Sequence, residues 1–408
     1  MKSNYKRLGD YIVPVKVRNS ELKAKELLGI NINKYFMSSV ANIVGTDLSN
    51  YKLVQKNQFA CNRMHVGRDY RIPVAVSETE ESFMVSPAYD VFEVMDNKVL
   101  LPEYLMMWFE RAEFDRNAWF YTDADVRGGL AWQAFEDMQL PIPHIDKQRE
   151  IVKEYNTIQN RISLNQQLIQ KLEETAQAIY KQWFVEFEFP DENRKPYKSN
   201  GGEMVWNEEL QKEIPLGWKL KSLRNIVAIV DNRGKTPPCV EYKTEYPLIE
   251  IGAISGDNRV IDIDKCEKYV EEEIYNKWFR SGHPRKKDIL FSTVGSLAEM
   301  KLYWEQSGVI AQNIVAFRAS DKMALYLYQC LKNNKNDLVA YEIGSVQASI
   351  KVSQVIEFDI LYPSELVTSY FDNLISTLTN LSNAVYKENQ KLTEMKGLLL
   401  SKLATIEN

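Results

Sequence analysis

The side chains best spaced to do chemistry in this chain are Asp231 and, ten residues on, Glu241-Tyr242-Lys243. The spacing imitates the D…ExK pattern of metal-dependent nucleases, in which two carboxylates and a lysine hold Mg²⁺ beside a phosphate. Three common residue types at a loose spacing fit a turn and a strand equally well. The other reactive groups are sparse. There are three histidines (His65, His144, His283), none with a second ligand at metal spacing, and four cysteines (Cys61, Cys239, Cys266, Cys330) with no CxxC. No G-x-S-x-G, Walker loop or G-x-G-x-x-G occurs, nor a glycine-rich methyl-donor loop. Thr236-Pro237-Pro238-Cys239 is the nearest string to the Asn/Asp-Pro-Pro-aromatic tetrapeptide of amino-methyltransferases, and it lacks both the polar head and the aromatic. The residues read as those of a chain that binds rather than transforms, with no cofactor or metal of its own.

Composition sets the frame for binding. The 408 residues are 45% hydrophobic and 26% charged, enough for two ordinary cores. No apolar run approaches a membrane span, the N-terminus leads into no signal-peptide core, and the cysteines suggest no disulfides, so the expectation is a cytoplasmic, reduced protein. The net charge of −5 hides an uneven distribution. Carboxylates gather in the middle, at Glu173, Glu174, Glu186, Glu188, Asp191 and Glu192 among others. Basic groups cluster before it (Lys16, Arg18, Arg63, His65, Arg68, Arg71, Arg111, Arg116, Arg127) and after it (Lys219, Lys221, Arg224, Arg233, Lys235, Arg285, Lys286, Lys287, Lys351). Taken alone, each cluster fits a solvated surface.

The elements that would position these groups come twice. Leu140-Pro141-Ile142-Pro143-His144 and a long apolar-periodic segment recur 220 positions later as Ile360-Leu361-Tyr362-Pro363-Ser364 with a similar segment behind it. Leu8–Ile12 answers to Leu223–Val227, Phe59–Arg63 to Ile289–Thr293, Val85–Phe92 to Ile310–Phe317, and Tyr104-Leu105 to Tyr326-Leu327. A repeat of half the chain means duplicated domains. The sequence therefore predicts a mixed α/β fold of two related domains, 1–143 and 218–363, a helix over 144–184, a linker over 185–217 and a second helix over 364–408. In the first helix, Ile151, Tyr155, Ile158, Ile162, Ile169, Leu172, Ala176 and Ile179 form a heptad seam with Asn165 in its one polar slot. In the second, Phe371, Ile375, Leu378, Val385, Leu392 and Leu399 form the seam, Leu374, Leu381, Met395 and Leu398 its shoulder, and Asn389 takes a seam slot. A stripe of this kind must be buried, and the other copy is the obvious partner, giving an antiparallel coiled coil of about 55 Å.

This plan resembles the DNA-specificity subunit of type I restriction–modification systems. Lys195–Trp206 looks like the central linker of that family, Ile214-Pro215-Leu216-Gly217-Trp218 like the "IPxGW" opening of its second target-recognition domain, and Gly344-Ser345-Val346-Gln347 like its "GSxQ" loop. Lys287–Ser296 resembles its "GDIL…G" core strand, with Lys287 in the usual glycine position. The first domain departs further, with Gln58–Arg63 standing for the core strand and Val126–Leu130 for the late loop. The resemblance implies a non-catalytic subunit of a methyltransferase and endonuclease complex. Each target-recognition domain would read one half of a bipartite site on double-stranded DNA. The helix pair would set the spacing, close to one turn of B-DNA or about 34 Å between half-sites. It would dock two modification subunits carrying S-adenosylmethionine, joined by restriction subunits that use ATP and Mg²⁺ as motor nucleases.

Reading bases takes forked donors on loops, and holding phosphates takes Lys, Arg, Ser and Thr. The candidate DNA contacts are Asn62, Arg63, His65, Arg68 and Arg127 in the first domain. In the second they are Arg233, Lys235, Thr236, Ser292, Thr293, Ser296, Gln312, Asn313, Ser345 and Gln347. A neutral His65 in a basic loop could equally bond to backbone. The competing readings are a metal-dependent nuclease built on Asp231, Glu241 and Lys243, and a coiled-coil scaffold with two protein-binding heads.

Overall fold

The computed structural model describes residues 5–40, 45–64, 66–122, 128–304, 307–344 and 348–406. Two compact units divide the chain, one made of Met1–Ile162 with Lys391–Asn408 and the other of Ser163–Gln390.

In the first unit the strand Tyr5–Arg7 pairs antiparallel with Gln139–Pro141, so the head opens and closes on adjacent strands. Between them lies a four-stranded antiparallel sheet in the order Ile12–Val15, Asp90–Val94, Phe59–Cys61, Val74–Val76. Strand alternation gives it two buried faces. Phe59 and Phe92 sit opposite one another, rings stacked at 5.0 Å, and meet Phe109 of the helix Pro102–Phe109. Ala60 and Val91 point the other way, into a smaller core with Val54, Phe83 and Val85. Pro102 starts that helix where a missing N–H costs little. Tyr104 of the helix donates to the Pro141 carbonyl at 3.0 Å.

The second unit repeats this plan in its central sheet and its tyrosine helix. Its strand Lys219–Ser222 pairs with Asp359–Tyr362. Its sheet runs Ala228–Val230, Ile314–Arg318, Ile289–Ser292, Met300–Leu302. Ile289 opposes Phe317 as Phe59 opposes Phe92, and Phe291 opposes Val315 as Cys61 opposes Asp90. Tyr326, on the helix Ala324–Asn333, donates to the Leu361 carbonyl as Tyr104 does to Pro141. The flanking strands differ. Lys52–Val54 and Phe83–Val85 are antiparallel, whereas Tyr246–Ile249 and Val309–Ile310 are parallel. Residues 185–217 contribute to the second core, since Phe189 stacks between Tyr197 and Trp218 at 4.5 and 5.1 Å. A hairpin of Met204–Asn207 and Lys212–Pro215 follows.

The long helices are Ile145–Tyr180 and Glu365–Lys402. In the first unit Ile151 and Tyr155 share a core with Leu399 and Leu403, and Lys396 donates to Gln159 at 3.0 Å. In the second unit Asn165 donates to Asn389 at 2.9 Å, while Ala176 and Tyr180 share a core with Phe371 and Ile375. In each unit the pairing is antiparallel, earlier residues of one helix meeting later residues of the other. The second helix corrects the expected shoulder. Leu374, Leu381, Met395 and Leu398 are exposed, and Thr368, Thr379, Ser382 and Asn383 are buried instead. Thr379 accounts for part of this choice, since its hydroxyl accepts from Arg259 of the second head at 3.1 Å. Among the described residues no helix is long and apolar enough to cross a membrane.

Each head is tied to the helices by charge. In the first unit Glu110, six residues after Tyr104, lies 3.2 Å from Lys396 and accepts from the Tyr155 hydroxyl. In the second, Lys332, six residues after Tyr326, lies 3.4 Å from Glu173. Arg259 donates to the same Glu173 at 2.8 Å, and this pair is 2% and 6% exposed. Burial raises the Glu173 carboxyl, but Arg259 and Lys332 outweigh it and hold the group below its usual range. At Lys332 burial wins, and its ammonium sits below the usual lysine range.

Candidate nucleic-acid interface

Antiparallel pairing decides which loops share an end of each sheet. In the first head the strands Ile12–Val15 and Phe59–Cys61 both finish where Asp90–Val94 begins. Lys16 and Arg18, then Asn62, Arg63 and Arg68, therefore leave from one end. In the second head Ala228–Val230 and Ile289–Ser292 finish where Ile314–Arg318 begins. That end gathers Asp231–Thr236, Thr293–Ser296 and Gln312-Asn313.

The candidates divide by what their side chains already hold. Arg63 donates to Asp90 at 2.6 Å and to the Leu130 carbonyl, and its guanidinium lies 5.4 Å from the Trp132 ring. These bonds fix the strand end. Asn62 accepts from the Met64 amide at 3.1 Å, which shapes the following turn. Arg68 is open to solvent, with Asp69 as its partner at 2.6 Å. The loop behind it closes through glycine. Gly67 donates to Gly128 at 2.8 Å, and a Cβ on Gly67 would lie 2.7 Å from the Gly128 Cα, a contact no side chain permits. His65, Arg127, Ser345 and Gln347 lie outside the described residues.

In the second head Ser292 and Thr293 are buried. Ser292 donates to the Ser296 carbonyl and accepts from the Glu299 amide, while the Thr293 hydroxyl donates to the Asn313 carbonyl. Ile350 donates to the Thr293 carbonyl at 2.8 Å and Gly295 to Ala348 at 3.1 Å, lacing the loop to the paired strands Glu342–Ile343 and Ser349–Ile350. These residues hold a scaffold on which Ser296, Gln312, Lys235 and Thr236 are exposed. Arg233 is half-buried and grips both Asp231 oxygens at 2.8 and 2.6 Å, which holds the Asp231 carboxyl below its usual range. Asn232 bonds Gly282 and Ser281, tying the turn to the neighbouring loop.

Several basic residues of the sequence clusters have other duties. Arg111 is buried, 4.2 Å from the Trp108 ring, and Arg224 pairs with Glu357. Lys287 adopts φ +73°, the left-handed region where glycine is at ease, and is held by Asp372 at 2.7 Å. The nuclease reading is not favoured. Asp231 spends both oxygens on Arg233, and among the described residues no three His, Cys, Asp or Glu side chains gather as a metal site.

The sequence reading passed over one surface of the first head. The helix Ala112–Phe120 ends in Trp119 and Phe120, followed by Tyr121, and with Tyr70 these rings are 44, 74, 52 and 63% exposed. Tyr70 and Trp119 lie 5.3 Å apart. Aromatics at the end of a helix ordinarily signal core, whereas these face out.

Comparison with known proteins agrees with this architecture. Residues 215–397 match the family model described as the type I restriction modification DNA specificity domain. The type I restriction enzyme MjaIX specificity subunit of Methanocaldococcus jannaschii is 24% identical over 288 residues, 68% of this chain and 64% of that relative, so the match spans just under two thirds of its length. The type I restriction enzyme HindI specificity subunit of Haemophilus influenzae is 21% identical over 429 residues, covering 91% of each chain. In fold, the chain is similar to the crystal structure of a type I restriction–modification S subunit from M. genitalium, with TM-score 0.54 and 14% identity over 99% of this chain and 96% of that one.

Proposed function

We propose, from the chain's kinship with the DNA-specificity subunits of type I restriction–modification systems, that it selects the DNA site on which partner subunits act and performs no chemistry itself. Each head reads one half of a bipartite site. The paired helices set the interval between halves and present outward apolar side chains, Leu366, Tyr370, Leu374 and Leu381 among them, to two modification subunits. S-Adenosylmethionine belongs to those partners, and ATP with Mg²⁺ to restriction subunits that join them.

The observation that carries this reading is the internal repeat. The two sheets share strand order and register, yet the residues that leave their matching ends differ, Asn62 and Arg63 standing where the second head has Ser292 and Thr293. One scaffold used twice with unlike loops suits a target with two unlike halves. Exposed Lys235, Thr236, Ser296, Gln312 and Arg68 supply donors for bases and phosphates. The half-buried Arg233 and Arg63 set loop shape and reach the duplex only at the cost of their carboxylate partners.

Methylation mapping in a host carrying the complete system tests the proposal. The expected output is one asymmetric motif of two short words around a gap of fixed length. A single uninterrupted motif, or methylation indifferent to sequence, refutes it, and Mg²⁺-dependent cutting by the isolated chain returns the nuclease reading.

A further inference from the structure

Trp119, Phe120 and Tyr121 are tied by hydrogen bonds to the end of the first head that carries its candidate DNA contacts, and Tyr70 joins them by ring contact with Trp119. The Thr122 hydroxyl donates to the Trp119 carbonyl at 2.7 Å, and Thr122 bridges to Leu130. Leu130 in turn donates to the Arg63 carbonyl at 3.0 Å, two residues beyond the strand Phe59–Cys61. Tyr70 follows the turn Val66–Asp69 and reaches Trp119 across it. Arginines flank the rings. The side chains of Arg68 and Arg116, paired at the surface with Asp69 and Glu113, are 66 and 70% exposed, and Arg71 is exposed with Asn33 as a partner.

An apolar ledge between guanidinium groups matches the major groove, where phosphates border bases and the thymine methyl is the one apolar group on a base edge. Resting on the DNA reading above, we propose that this ledge is a specificity element of the first head that packs against a thymine methyl, Phe120 being the ring that makes the contact. The second head supplies a contrast. Its short helix after Ala324–Asn333, Lys335–Val339, exposes Asn336 and Asp337 and carries no aromatic residue. The methyl preference therefore belongs to one half-site.

The test uses the full chain assembled with its modification subunits and a duplex bearing the mapped site, with each thymidine replaced in turn by deoxyuridine. Loss of one methyl contact should weaken wild-type binding about fourfold at one position or more in one half-site. Phe120→Ala should bind that half-site more weakly and respond equally to thymidine and deoxyuridine there, while the other half-site behaves alike in both proteins. Phe120→Leu, which keeps an apolar contact, should retain part of the methyl response. A half-site pair that lacks A·T, or deoxyuridine that is neutral throughout for a wild-type complex still selective for its site, overturns this inference alone. A wild-type complex with no site preference overturns the DNA reading as well. A Phe120→Ala chain that fails to assemble with its partners identifies the ledge as a protein contact and likewise overturns it.

Discussion

Replacing Glu173 by glutamine should be the most damaging single-atom change in the second unit. The substitution keeps the side-chain shape and deletes the carboxylate that contacts both Arg259 and Lys332. Arg259 already has its Nη2 buried without a partner among the described residues, so it has no slack to absorb the loss. Lys301, 1% exposed, adds a third cation to the neighbourhood. Removing one member of a buried pair ordinarily costs about 3–5 kcal/mol, because the other charge stays desolvated. For a unit of this size each kcal/mol is worth about 2–4 °C, so thermal unfolding should begin about 6–20 °C earlier. The pH dependence has a definite sign. The Glu173 carboxyl lies below its ordinary 4.5, so its contribution is present in full above that value and vanishes as pH falls through the depressed one. The gap between wild type and Glu173→Gln should stay constant from neutral pH to about 5 and close in more acid solution. Chemical denaturation followed by tryptophan fluorescence across this range measures it. A variant within about 1 kcal/mol of wild type at pH 7, or a gap that widens with acid, would refute the reasoning. The double variant Glu173→Leu/Arg259→Met should recover the part of the loss that comes from Arg259, since an apolar pair of similar volume needs no desolvation, with Lys332 left to the Asp257 carbonyl.

Two further outcomes follow from buried polar groups. Lys301→Met should stabilise the second head at neutral pH by about 3 kcal/mol, as burial presses the ammonium down to about 8 while the Asn258 side chain accepts from it at 2.9 Å. In the wild type this penalty is full below about 8 and fades as pH rises toward 10.5, and the variant's melting curve should lose that slope. Converting Asn165 and Asn389 together to leucine should raise the melting temperature yet loosen register, which analytical ultracentrifugation would report as extra association states; a more stable chain with unchanged assembly argues against a register role.

Much of this architecture was legible because repeats preserve register. Phe59 and Ile289, Phe92 and Phe317, Tyr104 and Tyr326 are paired by the sequence repeat and occupy matching places in the two sheets and tyrosine helices. Asn165 and Asn389, each legible as a polar slot in its own seam, bond to one another. What failed to show were features decided by distant partners. Arg259 reads as one charge in a polar turn, and it is buried only because Glu173 and Thr379 arrive from 86 and 120 residues away. The same residue gives the buried Thr379 of the second helix its partner. At the candidate interface, residue type identified donors but not their commitments. Arg233 and Lys235 look alike in the chain, yet one is neutralised by Asp231 and the other stands exposed.

The two anchors also bear on how such a chain can be rearranged. Glu110 and Lys332 hold equivalent places on their heads, but the first offers an anion to Lys396 and the second a cation to Glu173. Transplanting either head into the other's seat would bring ammonium against ammonium or carboxylate against carboxylate. The chain thus carries a polarised key that rejects inverted copies of itself, and a chimera built by shuffling heads must bring the matching lock residue along.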